Sequence, residues 1–232
     1  MNIHSIYDLF FRLFRPGRLA LFYREFGVGG ETRVLDVGGG LAFWEMARRQ
    51  GLAVPNVTVV NLSSPPLELP RGLTWVVGDA CSLPFADRSF DVAFSNSVVE
   101  HLGGTGKQAK FAREIQRVAH GYFVQTPHRS FPVEPHLMTP FLHWLPLAVR
   151  KVLLRNFTVW GLITRPSPAE CANYLLNIRL FNRRELEALL PASDVRVERF
   201  LLWPKSLLAL WGGTRRTFAP PPGRSPAAGS KA

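Results

Sequence analysis

The spacing of apolar and polar positions changes character several times along the chain. Over 3–15, Ile3, Ile6, Leu9, Phe10, Leu13 and Phe14 cover most of a helical surface. His4, Asp8, Arg12 and Arg15 share the remaining face, which predicts an amphipathic helix. Pro16-Gly17 is expected to stop it, with a second short helix over 18–26. Short apolar runs bounded by Gly, Pro, Asp or Asn then predict strands at 33–37, 57–62, 73–77, 90–95 and 121–125. Helical spacing predicts helices at 41–50 and 105–119. The second opens with Thr105 and Gln108 at capping-box spacing and carries Phe111, Ile115 and Val118 as a buried stripe. Strands alternating with helices predict an α/β fold whose parallel sheet is covered on both faces.

The rhythm fails over 126–180, where prolines, three histidines and many aromatics predict an irregular insertion. A helix is expected at 183–190, opened by Asn182 and Glu185 at capping spacing. The runs 195–203 and 205–211 are expected to pair antiparallel across a turn at Pro204. Beyond about 215 the composition is Pro, Gly, Ala, Ser and Arg, which cannot bury enough apolar surface to order itself. The expected organisation is a helical lid or flank over 1–28, a ligand-binding core over 29–125 and a substrate lid over 126–180. Residues 181–214 complete the core, and 215–232 form a disordered tail.

Composition narrows the possible functions. Of 232 residues, 47% are hydrophobic and 19% charged, which excludes a wholly disordered chain. Cys81 and Cys171 are too few for a disulfide scaffold and suit a reducing, cytoplasmic setting. The scattered histidines lack zinc-site spacing, so no metal is expected. No apolar run reaches the roughly 18 residues of a spanning helix, and no secretory signal is read. The formal charge is +11. Arg150, Lys151, Arg155 and Arg165 contribute to it without a nearby acid, as do Lys205, Arg215, Arg216, Arg224 and Lys231. Such patches raise nucleic acid and anionic membrane as partners. The Phe- and Arg-bearing N-terminal segment also suits a membrane interface, so a membrane-peripheral location stays open.

The sharpest chemical signal is Val34-Leu35-Asp36-Val37-Gly38-Gly39-Gly40, a strand running into a glycine turn and then a helix. Without side chains, that turn lets a ligand approach the backbone. A dinucleotide fingerprint would need a glycine at position 43, which is Phe43, and an acid after the second strand, where Asn61 stands. Asp36, just ahead of the glycines, suits a ligand with a cationic ammonium group.

With Val77-Gly78-Asp79-Ala80, Leu83-Pro84-Phe85 and Phe90-Asp91-Val92 following in order, the chain resembles the class I S-adenosylmethionine-dependent methyltransferases over 33–125. The likeness extends more loosely through 181–211. It is nearest the branch that methylates quinone rings and small molecules. The resemblance implies a Rossmann-like, doubly wound, mostly parallel sheet with a C-terminal antiparallel hairpin, and S-adenosyl-L-methionine as cofactor. It puts Asp36, Gly38, Gly39 and Gly40 at the amino-acid end of the cofactor. Asn61 and Leu62 fall at the ribose, where the family usually has an acid in place of Asn61. Asp79, Ala80 and Cys81 fall at the adenine, and Ser95 and Asn96 beside the sulfonium. Cys81 also reads as a small buried hydrophobe.

A methyl acceptor that must lose a proton needs a base, and His101, His128 and His136 are the candidates for catalysis. The expected activity is methyl transfer to a small-molecule or lipid-like acceptor. The alternatives are a non-catalytic cofactor-binding protein of the same fold and a nucleic-acid methyltransferase. The last is disfavoured, since no Asn/Asp-Pro-Pro-Tyr/Phe motif or Pro-Cys nucleophile is present. The N-terminal helices and 126–165 are expected to meet over the mouth of the site. Oligomeric state is not legible.

Overall fold

The computed structural model describes residues 3–134 and 136–212, with 3–13 as helix backbone. A helix α1 (Ile3–Phe26) leads into alternating β1 (Arg33–Val37), α2 (Leu41–Arg49), β2 (Asn56–Asn61), β3 (Leu73–Val77) and β4 (Phe90–Asn96). Next come a 3-10 turn at Val99–His101, α3 (Thr105–Val118) and β5 (Ala119–Pro127). After a small hairpin of β6 (Val133–Glu134) and β7 (Thr139–Pro140), the chain forms α4 (Leu147–Asn156), α5 (Val159–Thr164) and α6 (Pro168–Asn177). It returns through α7 (Arg183–Leu189) to β8 (Asp194–Phe200) and β9 (Trp203–Trp211).

Seven strands form one sheet in the order β3-β2-β1-β4-β5-β9-β8. The first five are parallel, while β9 runs antiparallel to both β5 and β8. This is the expected Rossmann-like sheet with its C-terminal hairpin. Strand order reverses between β1 and β4, so a crevice opens at their carboxyl ends.

The period of two along the strands decides which residues meet each helical layer. Leu35, Val37, Ala93, Tyr122 and Val124 face one way and pack with Phe111 and Ile115 of α3 and Leu186 of α7. Val34, Val92, Phe94 and Phe123 face the other way and pack with Leu19, Phe22 and Phe26 of α1 and Trp44 of α2. Both faces are buried, as a parallel sheet requires.

Four local expectations change. The first helix does not stop at Pro16 but continues to Phe26. Proline removes one backbone hydrogen bond, and burial of Leu19, Phe22 and Phe26 offsets that loss. Thr105 and Gln108 do not form a capping box, because Gly104 is the N-cap and makes no side-chain cap bond. Gln108 is buried instead, donating to the Val99 carbonyl at 3.2 Å and accepting from Arg179 at 2.6 Å. The 126–180 region is not irregular throughout but largely helical over 147–177, where two prolines start helices rather than break them: Pro146 is the N-cap of α4 and Pro168 opens α6. Pro204 lies inside β9, not in the turn. It sits beyond the β5 pairing and beside an irregularity at Glu198/Arg199, where a missing N–H is tolerated. The reading of 215–232 as a tail lies outside the described residues.

Candidate active site

The glycine turn follows β1 at the crevice. Gly38 has φ +74°, and a Cβ there would lie 2.7 Å from the Val98 methyls. Gly39 rests directly on the Asp36 carboxylate, 2.1 Å from where a Cβ would stand. Gly40 caps α2, and a Cβ on it would meet nothing within 4 Å.

Asp36 is 1% exposed and accepts from the Trp44 indole N–H at 2.8 Å through Oδ2, while Oδ1 has no hydrogen-bond partner. It therefore lies behind the loop rather than in open solvent. Burial pushes its carboxyl up to about 7, with the Trp44 bond opposing the shift. In the unliganded protein the folded state holds this proton more tightly than the unfolded chain. The resulting stability is complete below about pH 4 and declines as pH rises through about 7. A shift of this size corresponds to about 4 kcal/mol. Asp36→Asn is expected to remove this share of the slope, so that the variant gains on the wild type between about pH 4 and pH 7 in denaturant titrations. Parallel curves for the two proteins would refute an ionisable Asp36 in that window.

Asn61 ties the loop from the neighbouring strand. Its amide donates to the Gly39 carbonyl at 2.8 Å and more weakly to that of Gly38, while its Oδ1 accepts from Ser63 N–H and hydroxyl. A carboxylate here would face two carbonyl oxygens. The Asn61 amide thus holds the loop carbonyls from β2. Ser95 likewise turns inward, donating to the Val37 carbonyl at 3.1 Å.

Two cavities meet at this edge. The larger, about 670 Å³, is lined by Leu62, Asp79 and Cys81 on the core side and by Glu170, Asn173 and Tyr174 of α6 on the other. Asp79 accepts from the Cys81 N–H at 2.8 Å. Ala80 and Cys81 are half-buried and pack against the core. Burial, and then Asp79, push the Cys81 thiol up, so it stays protonated.

The smaller cavity, about 240 Å³, is lined by Arg15 and Arg18 of α1, Asn96 at the end of β4 and Ser97 after it, Phe131, and Lys205 of β9. The N-terminal helix and the 126–165 region thus share one mouth, as expected. Arg18 is 3% exposed and donates to Glu198 at 2.6 and 3.0 Å, to Asn96 at 3.1 Å and to Ser206 at 2.9 Å. Burial alone would raise the Glu198 carboxyl, but Arg18 and Lys205 outweigh it and hold it below the usual range. Burial, with the Arg18 charge, lowers Lys205 to about 7.

His101 and His136 line both cavities. Their Nε2 atoms are 3.0 Å apart, with the rings edge to face. Glu134, 1% exposed, accepts from His136 Nδ1 at 2.7 Å and from the Leu137 N–H at 2.6 Å. Burial and the charge of His136 depress His101 to about 4. For His136, burial is outweighed by Glu134, and the imidazole titrates above its usual value. His128 does not join them. It accepts from the Ser130 N–H at 3.0 Å in its own loop and lines neither cavity. Arg18 and the α6 residues were not singled out by sequence reading, because they come from segments far from every motif, and Lys205 was read only as part of a basic patch. The buried charge of Arg18 is visible only in the fold.

Residues 35–124 match the family model described as a methyltransferase domain. With the strand order and glycine turn above, that segment is a domain of the class I S-adenosylmethionine-dependent methyltransferase type. A demethylmenaquinone methyltransferase from Mycobacterium sp. (strain KMS) is 32% identical over 135 residues, covering 54% of this chain and 58% of the relative. The chain thus matches a little over half the length of that curated relative. Among solved structures, the PH0226 protein of Pyrococcus horikoshii OT3 superposes with TM-score 0.51 at 14% identity, covering 84% of this chain and 87% of its own. Phosphoethanolamine N-methyltransferase 2 of Haemonchus contortus, solved with S-adenosyl-L-methionine, gives TM-score 0.50 at 18% identity, covering 79% of this chain and 38% of its own. No helix among the described residues is long and apolar enough to cross a membrane.

Proposed function

We propose that the protein is an S-adenosylmethionine-dependent methyltransferase acting on a lipid-like small molecule whose reactive ring oxygen is acidic, in the manner of a quinol or phenol. The observation that carries this reading is the junction of the two cavities at His101 and His136. The larger cavity offers Asp79, Cys81 and Leu62 to the adenosine, with Ala80 between them in the chain, and the loop at Gly38–Gly40 takes the amino-acid end. Asp36 and Asn61 hold that loop, and Asn96 flanks the point where the methyl group would be presented.

The smaller cavity takes the acceptor. Phe131 and Pro127 supply an apolar wall, while Arg15, beside the Arg18–Glu198–Lys205 cluster, supplies positive charge at one end. Such a lining suits an apolar body carrying an anionic or ionisable group. His101 and His136 face the acceptor's nucleophilic atom and favour its deprotonated form. Alignment of donor and acceptor across the junction is the main catalytic contribution, worth up to about 7–11 kcal/mol in favourable cases. Exposed Leu147, Val149, Val152 and Phe157 lie on or beside α4 with Arg150, Lys151 and Arg155. This pairing suits contact with an anionic membrane surface from which a lipid-like acceptor is drawn. The quinone-type ring named for the mycobacterial relative supports a ring-bearing, lipid-like acceptor.

Titration calorimetry with S-adenosylmethionine tests the cofactor half. Asp79→Ala is expected to weaken binding at least tenfold, about 1.4 kcal/mol. Unchanged affinity in the folded variant would remove Asp79 from the site. Transfer of a labelled methyl group from the cofactor into a bacterial lipid extract tests the acceptor half. Label appearing only in the water-soluble or nucleic-acid fraction would overturn the lipid-like assignment.

A further inference from the structure

We propose that Glu100, His101 and His136 form a binding site for one divalent cation of the zinc type at the junction of the two cavities. One candidate ligand atom from each of these residues lies within 4.8 Å of the other two. The two imidazole Nε2 atoms are 3.0 Å apart, and Glu100 Oε1 is 4.0 Å from each. By these distances an ion about 2.1 Å from both nitrogens fits between them and Glu100, and a slight parting of the rings would open its angle at the nitrogens toward the tetrahedral value.

Three further features point to a cation. Glu100 is fully buried; its Oε2 accepts from the Thr126 hydroxyl at 2.9 Å, but Oε1 has no hydrogen-bond partner. A buried carboxylate oxygen left in that state is costly unless the group takes a proton, which burial favours for Glu100, or a positive group reaches it. Glu134 accepts from His136 Nδ1 at 2.7 Å and is itself fixed by the Leu137 N–H. That places a ring proton on Nδ1, so an ion at Nε2 displaces at most the second ring proton, the carboxylate–histidine–metal arrangement of many metal sites. Finally, the two Nε2 atoms stand 3.0 Å apart, a separation that a bridging ion or a shared proton can span.

The donor set of two imidazoles and one carboxylate favours a borderline first-row ion over magnesium or calcium. Three protein ligands leave a coordination position for another molecule. His101 is 42% exposed at the cavity wall, which gives the ion a path of entry. The site deepens the proposed methyl transfer, on which this role alone rests. An acceptor oxygen in the open position would lose its proton at lower pH than in water. The sequence hides the set because its ligands come from a 3-10 turn after β4 and a hairpin segment 35 residues away.

Chelator-treated full-length protein titrated with zinc(II), and with cobalt(II) followed by its visible absorption, tests the site. One equivalent is expected to bind. His101→Ala and His136→Ala should each weaken uptake strongly, and Glu134→Gln about 10-fold to 100-fold. Circular dichroism verifies folding, and His101→Ala, at the cavity wall, carries the test if the buried variants unfold. No uptake by the wild type, or uptake unchanged in His101→Ala, overturns the proposal and leaves a shared proton between the imidazoles. S-adenosylmethionine titration of the same samples separates the two readings. Cofactor binding without zinc defeats only the cation site, whereas zinc binding without cofactor defeats only the methyltransferase reading.

Discussion

Gly39→Ala is expected to lower the melting temperature and to cut S-adenosylmethionine affinity at least tenfold. The new Cβ would stand 2.1 Å from both oxygens of the Asp36 carboxylate. That carboxylate is 1% exposed and tied to Trp44 at 2.8 Å, so it cannot step aside. Either the loop lifts or the strand end distorts, and overpacking of this kind costs about 1–3 kcal/mol. Gly40→Ala is the matched control, since its Cβ meets nothing within 4 Å. Its melting temperature is expected to stay near that of the wild type. Equal melting losses in the two variants, read by differential scanning calorimetry, would show that packing against Asp36 is not what makes Gly39 necessary.

The second large effect concerns Arg18. Arg18→Ala removes the bidentate partner of Glu198 at 2.6 and 3.0 Å and frees Asn96 and Ser206 of their shared donor. Breaking a buried ion pair from one side costs about 3–5 kcal/mol, because the remaining charge stays buried. Lys205, 3.3 Å from Glu198, offsets part of that. In a chain of this size the melting temperature should fall by about 10 °C. Urea unfolding gives the free energy directly. A loss below about 1 kcal/mol, the range of an exposed pair, would mean that Lys205 alone satisfies Glu198. The Arg18 bonds join α1 to β4, β8 and β9 across the mouth of the smaller cavity. The same variant should therefore impair acceptor binding even where the fold survives.

How much of this was legible depends on how local each cause is. The strands of the parallel core could be read because a strand buried on both faces must be a short apolar run. The box at Asn182 and Glu185 formed as expected, since both partners lie within one helical turn. A comparable box at Ser167 and Glu170 opens α6, but the surrounding prolines hid it. Thr105 and Gln108 show the limit of such patterns. The amide of Gln108 found better partners in Val99 and Arg179, and Arg179 arrives from a segment 71 residues away. Of the three histidines singled out, two meet and one does not. Spacing alone could not have separated His136 from His128.

The sequence by itself determined the alternating α/β core, the glycine turn after β1, and the ordered motifs that point to an S-adenosylmethionine site. These rest on period, turn chemistry and short-range contacts, which neighbours in the chain specify. Only the tertiary structure decided that α1 runs through Pro16, that Asn61 braces the loop, and that His101, His136, Glu100 and Glu134 converge. It also decided that Arg18 is buried against Glu198, 180 residues away. Each of these is a contact between distant segments, and its partner is set by how the sheet and its covering helices pack, not by the local run of residues.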